Sequence, residues 1–277
     1  MVSEYIEKAW AAYKKNFWTI ISAKILEFVI VGIVLLVFLA TAFAMFLPNL
    51  MTAMTSGTTN LQVIMLLLFS SIPALIMAII GVVITVILFI EFEAGMVGIY
   101  ADSLKGKARL ETLFSVMKEK FWSVLGANLL VMLISLLLAC IFIFPALLLL
   151  AVSLMIGIPV LVIGIIVVLL VVVLFSVVNQ AIVIDGNSAA AALEKSVKVI
   201  KANYLSAIAL ILIFFVINMV LQIIGMAPML MIPMLIIVLL VVAPLQMISF
   251  TALYLEKSGA APAPRAAKPK PVVRRRK

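Results

Sequence analysis

An all-α integral membrane protein is the fold class the sequence predicts. We expect six transmembrane helices forming three similar hairpins, each preceded by an amphipathic helix on the cytoplasmic leaflet. Three observations lead there. Apolar residues make up 67% of the 277-residue chain and its mean hydropathy is +1.40, whereas a soluble domain is about 45–50% apolar. The 20 basic and 11 acidic side chains fall into four groups, separated by the uncharged blocks Phe28–Ile90, Phe121–Ile184 and Ala202–Leu255. The segments that lead into the membrane also resemble one another.

Each uncharged block is long enough to cross a bilayer, turn and return, since one crossing takes about 20 apolar residues. The N-terminal group carries Lys8, Lys14, Lys15 and Lys24. The second carries Lys105, Lys107, Arg109, Lys118 and Lys120, and the third Lys195, Lys198 and Lys201. The remaining basic residues follow Leu255. Lys and Arg accumulate in cytoplasmic loops, so all four groups, and both termini, are expected on the cytoplasmic side. A third crossing in the middle block would send Lys195, Lys198 and Lys201 outside, against that rule. The predicted spans are 26–47, 63–90, 121–144, 159–182, 204–224 and 231–255.

The outer turns should be short and uncharged. Leu47-Pro48-Asn49 through Asn60 reads as the first, and Gly225-Met226-Ala227-Pro228 as the third. Between Pro145 and Pro159 the chain stays apolar, which fits a helix extension, an interfacial segment or a shallow re-entrant piece. On the cytoplasmic side, Leu104-Lys105-Gly106 reads as a helix stop. Asp185-Gly186-Asn187-Ser188 reads as a turn leading to an N-cap. The acidic start, with Glu4 and Glu7, does not read as a cleavable signal peptide.

Three entry segments match without gaps. The first has Ile6-Glu7, then Trp10, Tyr13, Lys14 and Asn16-Phe17-Trp18-Thr19. The second has Leu110-Glu111, then Phe114, Met117, Lys118 and Lys120-Phe121-Trp122-Ser123. The third has Leu193-Glu194, then Val197, Ile200, Lys201 and Asn203-Tyr204-Leu205-Ser206. Apolar residues spaced by 4, 3 and 4 share one helix face. This predicts an interfacial helix that bends into the membrane at an aromatic pair. Trp10, Phe17, Trp18, Phe121, Trp122 and Tyr204 are the expected interfacial anchors, because an apolar ring with a polar tip suits that depth. The returns match as well: Ile99-Tyr100-Ala101-Asp102, Ile182-Val183-Ile184-Asp185 and Leu253-Tyr254-Leu255-Glu256. One membrane domain over 1–257, with repeats at 3–102, 107–185 and 190–256, follows. A pseudo-axis along the membrane normal would relate parallel repeats of this kind.

These residues resemble a group of membrane domains that includes the membrane domain fused to some bacterial glycerophosphodiester phosphodiesterases and the YciC-like proteins. The resemblance rests on Lys-x-[Asn/Lys]-aromatic before each first span. It also rests on the link Ile184-Asp185-Gly186-Asn187-Ser188-Ala189, then Leu193-Glu194-Lys195-Ser196 and Lys201-x-Asn203-Tyr204. It implies a membrane module near lipid metabolism, in the plasma membrane of a prokaryote, and carries no catalytic residue across.

Chemistry-bearing residues are few. The chain has no histidine and one cysteine, Cys140, which excludes His-containing zinc sites, all-Cys metal sites and Ser-His-Asp or Cys-His catalysis within it. No catalytic residue, metal site or cofactor is expected, and Cys140 reads as a small apolar filler. Ionisable residues at mid-membrane mark proton and ion pathways. None is expected here, because Lys24, Glu27, Glu91 and Glu93 lie near cytoplasmic ends where side chains can snorkel. The internal polar set is Asn128, Ser135, Asn179, Gln180, Asn218, Gln222 and Gln246. It reads as interhelical hydrogen bonding, with a polar-lined central cavity as the sharper alternative. Ala94 and Gly98 fit a close-packing pattern, and Pro244 with Gln246 a kink.

Residues 258–277 form an Ala/Pro-rich basic tail expected to be disordered. Its Arg265, Lys268, Lys270, Arg274, Arg275, Arg276 and Lys277 should meet anionic headgroups at the cytoplasmic face. Nucleic acid is not an expected partner; membrane lipids are, with a membrane protein or a second copy of the chain as further candidates. The sequence therefore points to a non-enzymatic membrane module that binds lipid or a partner. A transporter, channel or lipid scramblase using a central polar pathway is the competing reading.

Overall fold

In a lipid solvent every backbone N–H and C=O must find its partner within the segment, and a helix does so. The computed structural model describes residues 2–56 and 61–259, and these are helical almost throughout. In chain order the helices are α1 (Val2–Lys15), α2 (Phe17–Ser56), α3 (Leu61–Leu104), α4 (Glu111–Leu138), α5 (Phe144–Val152), α6 (Leu154–Val173), α7 (Val178–Asp185), α8 (Ala189–Ala202), α9 (Tyr204–Gly225), α10 (Met231–Ile237) and α11 (Ala243–Lys257). Five-residue π-helical turns, Ala139–Ile143 and Val238–Val242, join α4 to α5 and α10 to α11. Among the described residues, six stretches are long and apolar enough to cross a membrane: Phe17–Pro48, Ser71–Leu104, Glu111–Val152, Leu154–Asp185, Tyr204–Gly225 and Met231–Lys257. The chain is a multi-pass membrane protein in this sense.

The core lies at one end of the bundle, the end that carries the charges. Along α3, residues from Glu91 to Ser103 are buried apart from Glu93 and Asp102, which are half-buried. In α7, Val178, Gln180, Ala181, Ile182 and Ile184 are buried, as is the run Ile248–Tyr254 in α11. The opposite halves of the same spans turn Leu, Ile, Val and Phe outward, as a lipid solvent permits. The α3 helix packs against α1, α2, α4, α7 and α11. Tyr254 OH donates to Asp185 across to α7, so the three returning segments meet around α3.

The structure corrects some expectations about local structure and decides others that were open. The outer turn expected from Leu47 is helix up to Ser56, with Pro48 inside it; residues 57–60 lie outside the described residues. The stretch between Pro145 and Pro159 is a helix extension, α5, ended by one extended residue, Ser153 (φ −154°, ψ 117°). The chain reverses there because Gly157 has no side chain. A Cβ on it would fall 2.3 Å from Leu150 Cα and 2.5 Å from Leu150 N. Cys140 is exposed on the outer surface of the first π-helical turn rather than filling a gap.

Only two of the three entry segments break before the membrane. At Asn16 the side-chain amide donates to Ala12 O (3.0 Å), and at Asn203 to Val199 O (3.0 Å). Each asparagine thus takes over a carbonyl at the end of the preceding helix. The second segment has Lys120 at that place, and α4 runs through it unbroken. The close-packing pattern includes Gly95 as well as Ala94 and Gly98. Cβ atoms on Gly95 and Gly98 would sit 2.8 Å from Leu113 Cδ1 and 2.9 Å from Val116 Cγ2 on α4.

Each π-helical turn ends two residues before a proline, Pro145 and Pro244. Proline lacks the N–H that would bond the carbonyl four residues back. For Pro244 that carbonyl belongs to Leu240, and Tyr13 OH from α1 donates to it at 3.0 Å. Tyr13→Phe is therefore expected to lower stability by about 1 kcal/mol. In a Pro244→Ala background, which restores the N–H, it should cost almost nothing. Thermal unfolding of the four proteins in one detergent measures this coupling. Equal losses in both backgrounds would show that Tyr13 is not supplying the missing partner. A comparable repair is seen where α6 gives way to tight turns over 174–177. Tyr204 OH donates to Leu170 O (2.8 Å) and Ser196 Oγ to Leu174 O (2.8 Å).

Candidate functional site at the charged end of the bundle

The entry helices are held to the returning helices by one contact made in three places. Lys8, Thr112 and Lys195 each follow the shared apolar-Glu pair in the matched segments. Asp102, Asp185 and Glu256 each end a return. Lys8 Nζ lies 3.0 Å from Glu256 Oε2, Thr112 Oγ1 donates to Asp102 Oδ2 at 2.8 Å, and Lys195 Nζ lies 3.8 Å from Asp185 Oδ2. The last two join an entry helix to the return just before it in the chain. The first joins the first helix to the last. Glu256 also accepts from Tyr5 OH (3.1 Å), and Glu4 lies 2.8 Å from Lys8 Nζ. Hydrogen bonds to Glu4 and Glu256 hold the Lys8 ammonium above the ordinary lysine range. Lys8, Lys195 and the acidic ends of the returns were legible in the sequence; Thr112 and Tyr5 were not singled out, and the Lys8–Glu256 pairing needs the ends of the chain to meet.

The first helix does not present the face its spacing suggested. It buries Tyr5, Ala9, Ala12 and Tyr13 against the protein, and α1 packs on α11. Trp10 and Phe17, which share the predicted apolar face with Tyr13, stay exposed. Trp10 stacks on Tyr13 (centroids 5.9 Å apart), and Lys14 Nζ sits 5.5 Å from its ring. Trp18 (78% exposed) and Trp122 (81%) project outward. Phe121, edge-on to Trp122, and Tyr204 are half-buried.

The ionisable residues assigned to snorkelling are instead inside. Lys24 is 5% exposed, Glu27 1% and Glu91 2%. Lys24 Nζ lies 2.8 Å from Glu27 Oε2 on its own helix and 2.5 Å from Glu93 Oε1 on α3. A lysine and two carboxylates therefore clamp the first hairpin. Snorkelling fails because α1 and the end of α3 cover this part of α2; Ile20 and Ala23 beside Lys24 are fully buried. Among the described residues, Glu27 Oε1, both Glu91 oxygens, Tyr100 OH, Ser176 Oγ and both Gln180 polar atoms are buried without a hydrogen-bond partner. Spacing contained a hint: Lys24 and Glu27 are three apart, hence on one helix face.

The polar set is brought together only in part. Asn128 Nδ2 donates to Asn179 Oδ1 at 2.9 Å, joining α4 to the α7 end of the second hairpin, and also to Val124 O. In the matched segments Asn128 occupies the place of Lys24, so both hairpins carry a polar staple at the same level. Asn218 bonds Phe214 O within its own helix. Gln222 is exposed and lines a pocket of about 470 Å3 between α9 and α10, with Met226, Met231 and Met234. Ser135 and Gln246 are half-buried. Residues 260–277, with the seven basic residues of the tail, lie outside the described residues.

A protein-family model described as a domain of unknown function, DUF7847, matches residues 31–261. No curated protein and no solved structure matches the chain.

Proposed function

The chain belongs to the DUF7847 family, and from that premise we propose that it is a non-enzymatic multi-pass membrane module that binds anionic lipid, or a membrane partner, through its cytoplasmic end. Three hairpin units surround a pseudo-axis along the membrane normal, the first and third with a separate entry helix and the second entered by α4 itself. Both termini face the cytoplasm of a prokaryote, and the tail from 258 onward adds basic charge at the same leaflet.

The observation that carries this reading is the brace made in three places, Lys8 to Glu256, Thr112 to Asp102 and Lys195 to Asp185. It pins each entry segment to the end of a returning helix at the charged end. In this reading those segments and the outward tryptophans lie at headgroup depth, where lipid or a partner would meet them. The staples Lys24–Glu93 and Asn128–Asn179 support a packed interior rather than a pathway. The charge distribution supports the orientation.

Native mass spectrometry of the chain extracted with its own lipids tests this. Retention of anionic lipid, or of a second membrane protein, is the expected result. A chain that carries neither, and that passes ions or scrambles lipid once reconstituted in liposomes, would replace this reading with the transport one.

A further inference from the structure

At the elbow between α1 and α2, a pocket of about 680 Å3 opens against the loop that leaves α3. Three lysines line it, Lys14 and Lys15 from the elbow and Lys107 from the loop, and no acidic side chain does. None of the three lysines makes an ion pair among the described residues. Bringing three like charges to one rim costs free energy, and an anion between them recovers it.

The pocket has a built floor. Asn16, itself 8% exposed, accepts from Ala108 N–H at 2.9 Å through Oδ1. Its amide donates to Ala12 O at 3.0 Å and Ser103 O at 3.4 Å. One buried side chain thus ties the elbow, the end of α3 and the loop together. Gly106 turns that loop with φ +101°, and Lys15 Nζ lies 3.3 Å from where a Cβ on it would be. One wall of the pocket is apolar and outward-facing. Trp18 lines the pocket and projects outward, and Ile25 and Phe28 continue an exposed apolar strip along α2.

We propose that this pocket is a binding site for the phosphate of an anionic phospholipid. The phosphate sits among Lys14, Lys15 and Lys107 with the Thr19 hydroxyl beside it, and the acyl chains run down past Trp18. The proposal rests on the lipid-binding reading above and names its site. The second matched segment offers fewer charges, Lys118 and Lys120, and the third only Lys201, so the first elbow is the preferred one.

The test uses the full chain in nanodiscs of phosphatidylcholine doped with phosphatidylglycerol, with retained lipid read by native mass spectrometry. The wild type should keep phosphatidylglycerol in preference to phosphatidylcholine. The Lys14→Gln, Lys15→Gln, Lys107→Gln triple variant should lose that preference by about tenfold or more, since each basic group near the surface contributes measurably to anionic-lipid binding. Its melting temperature should stay close to that of the wild type, because none of the three makes an ion pair among the described residues and Lys14 gives up only its exposed contact with the Trp10 ring, which is weak at such a site. Lys118→Gln, Lys198→Gln, Lys201→Gln is the control of equal charge and should keep the preference. Undiminished preference in the first variant overturns the site while leaving the lipid-binding reading intact. A wild type without preference overturns both. Displacement of the lipid by millimolar inorganic phosphate would assign the site to free phosphate and overturn the lipid assignment.

Discussion

Replacing Lys24 with methionine should destabilise the folded chain by about 3–5 kcal/mol, the cost typical of breaking a buried ion pair from one side. The size follows from what is left behind. Glu27 and Glu93 would remain against α2 and α3 with their shared cation gone, and the nearest ordinary relief, reaching water, is blocked by α1 and the end of α3. The companion variant Lys24→Met, Glu27→Gln, Glu93→Gln removes all three charges. It should recover most of the loss, because a buried ion cluster replaced as a unit is often close to neutral. Thermal unfolding in a mild detergent, with size-exclusion profiles as a check on folding, compares the two. If the single variant melts with the wild type, the cluster is not the clamp described here.

Gly157→Ala is expected to destabilise the chain as well, somewhat less and by a different route. The added Cβ would meet the backbone of Leu150, at 2.3 Å from Cα and 2.5 Å from N. A flexible side chain could swing aside from such a contact, whereas a helix backbone cannot. Either α5 and α6 separate or the turn at Ser153 reforms. Overpacking of this kind costs about 1–3 kcal/mol in well-packed cores. Gly32→Ala is the control: it also sits in a span, but nothing lies within 4 Å of its added Cβ, so the helix should tolerate it. The yield of monodisperse protein and its melting temperature measure both variants. A Gly157→Ala chain that behaves like Gly32→Ala would show that the α5–α6 reversal is looser than these distances imply.

Much of the candidate site was visible as residues but not as contacts. The apolar-Glu pairs, the aromatic pairs and the acidic ends of the returns were all legible, because each lies within a short stretch and repeats. The brace from Lys8 to Glu256 was not, since it joins the two ends of the chain. The buried clamp was missed for a related reason. A lysine a few residues inside a span normally reaches water, and only the packing of α1 over α2 prevents it. Asn128 was singled out for its polarity, but only the fold supplies Asn179 as its partner. The helix break at Asn16 and Asn203, absent at Lys120, reflects a local difference. An amide can take over the carbonyl four residues back, and the matched lysine leaves the helix to continue.

By itself the sequence determined that the chain is helical, that it lives in lipid, and how many times it can cross. Those properties follow from solvent: long uncharged blocks must satisfy their own backbone in a bilayer, and only helices of about 20 residues do so in a single pass. The tertiary structure alone decided where the core lies, which charges are hidden, and that the first and last helices close on each other. Lipid is as apolar as leucine, so burial in a membrane leaves no strong periodic mark along the spans. Close approach at Gly81, Gly95, Gly98 and Gly157, and the few polar pairs, decide which faces meet.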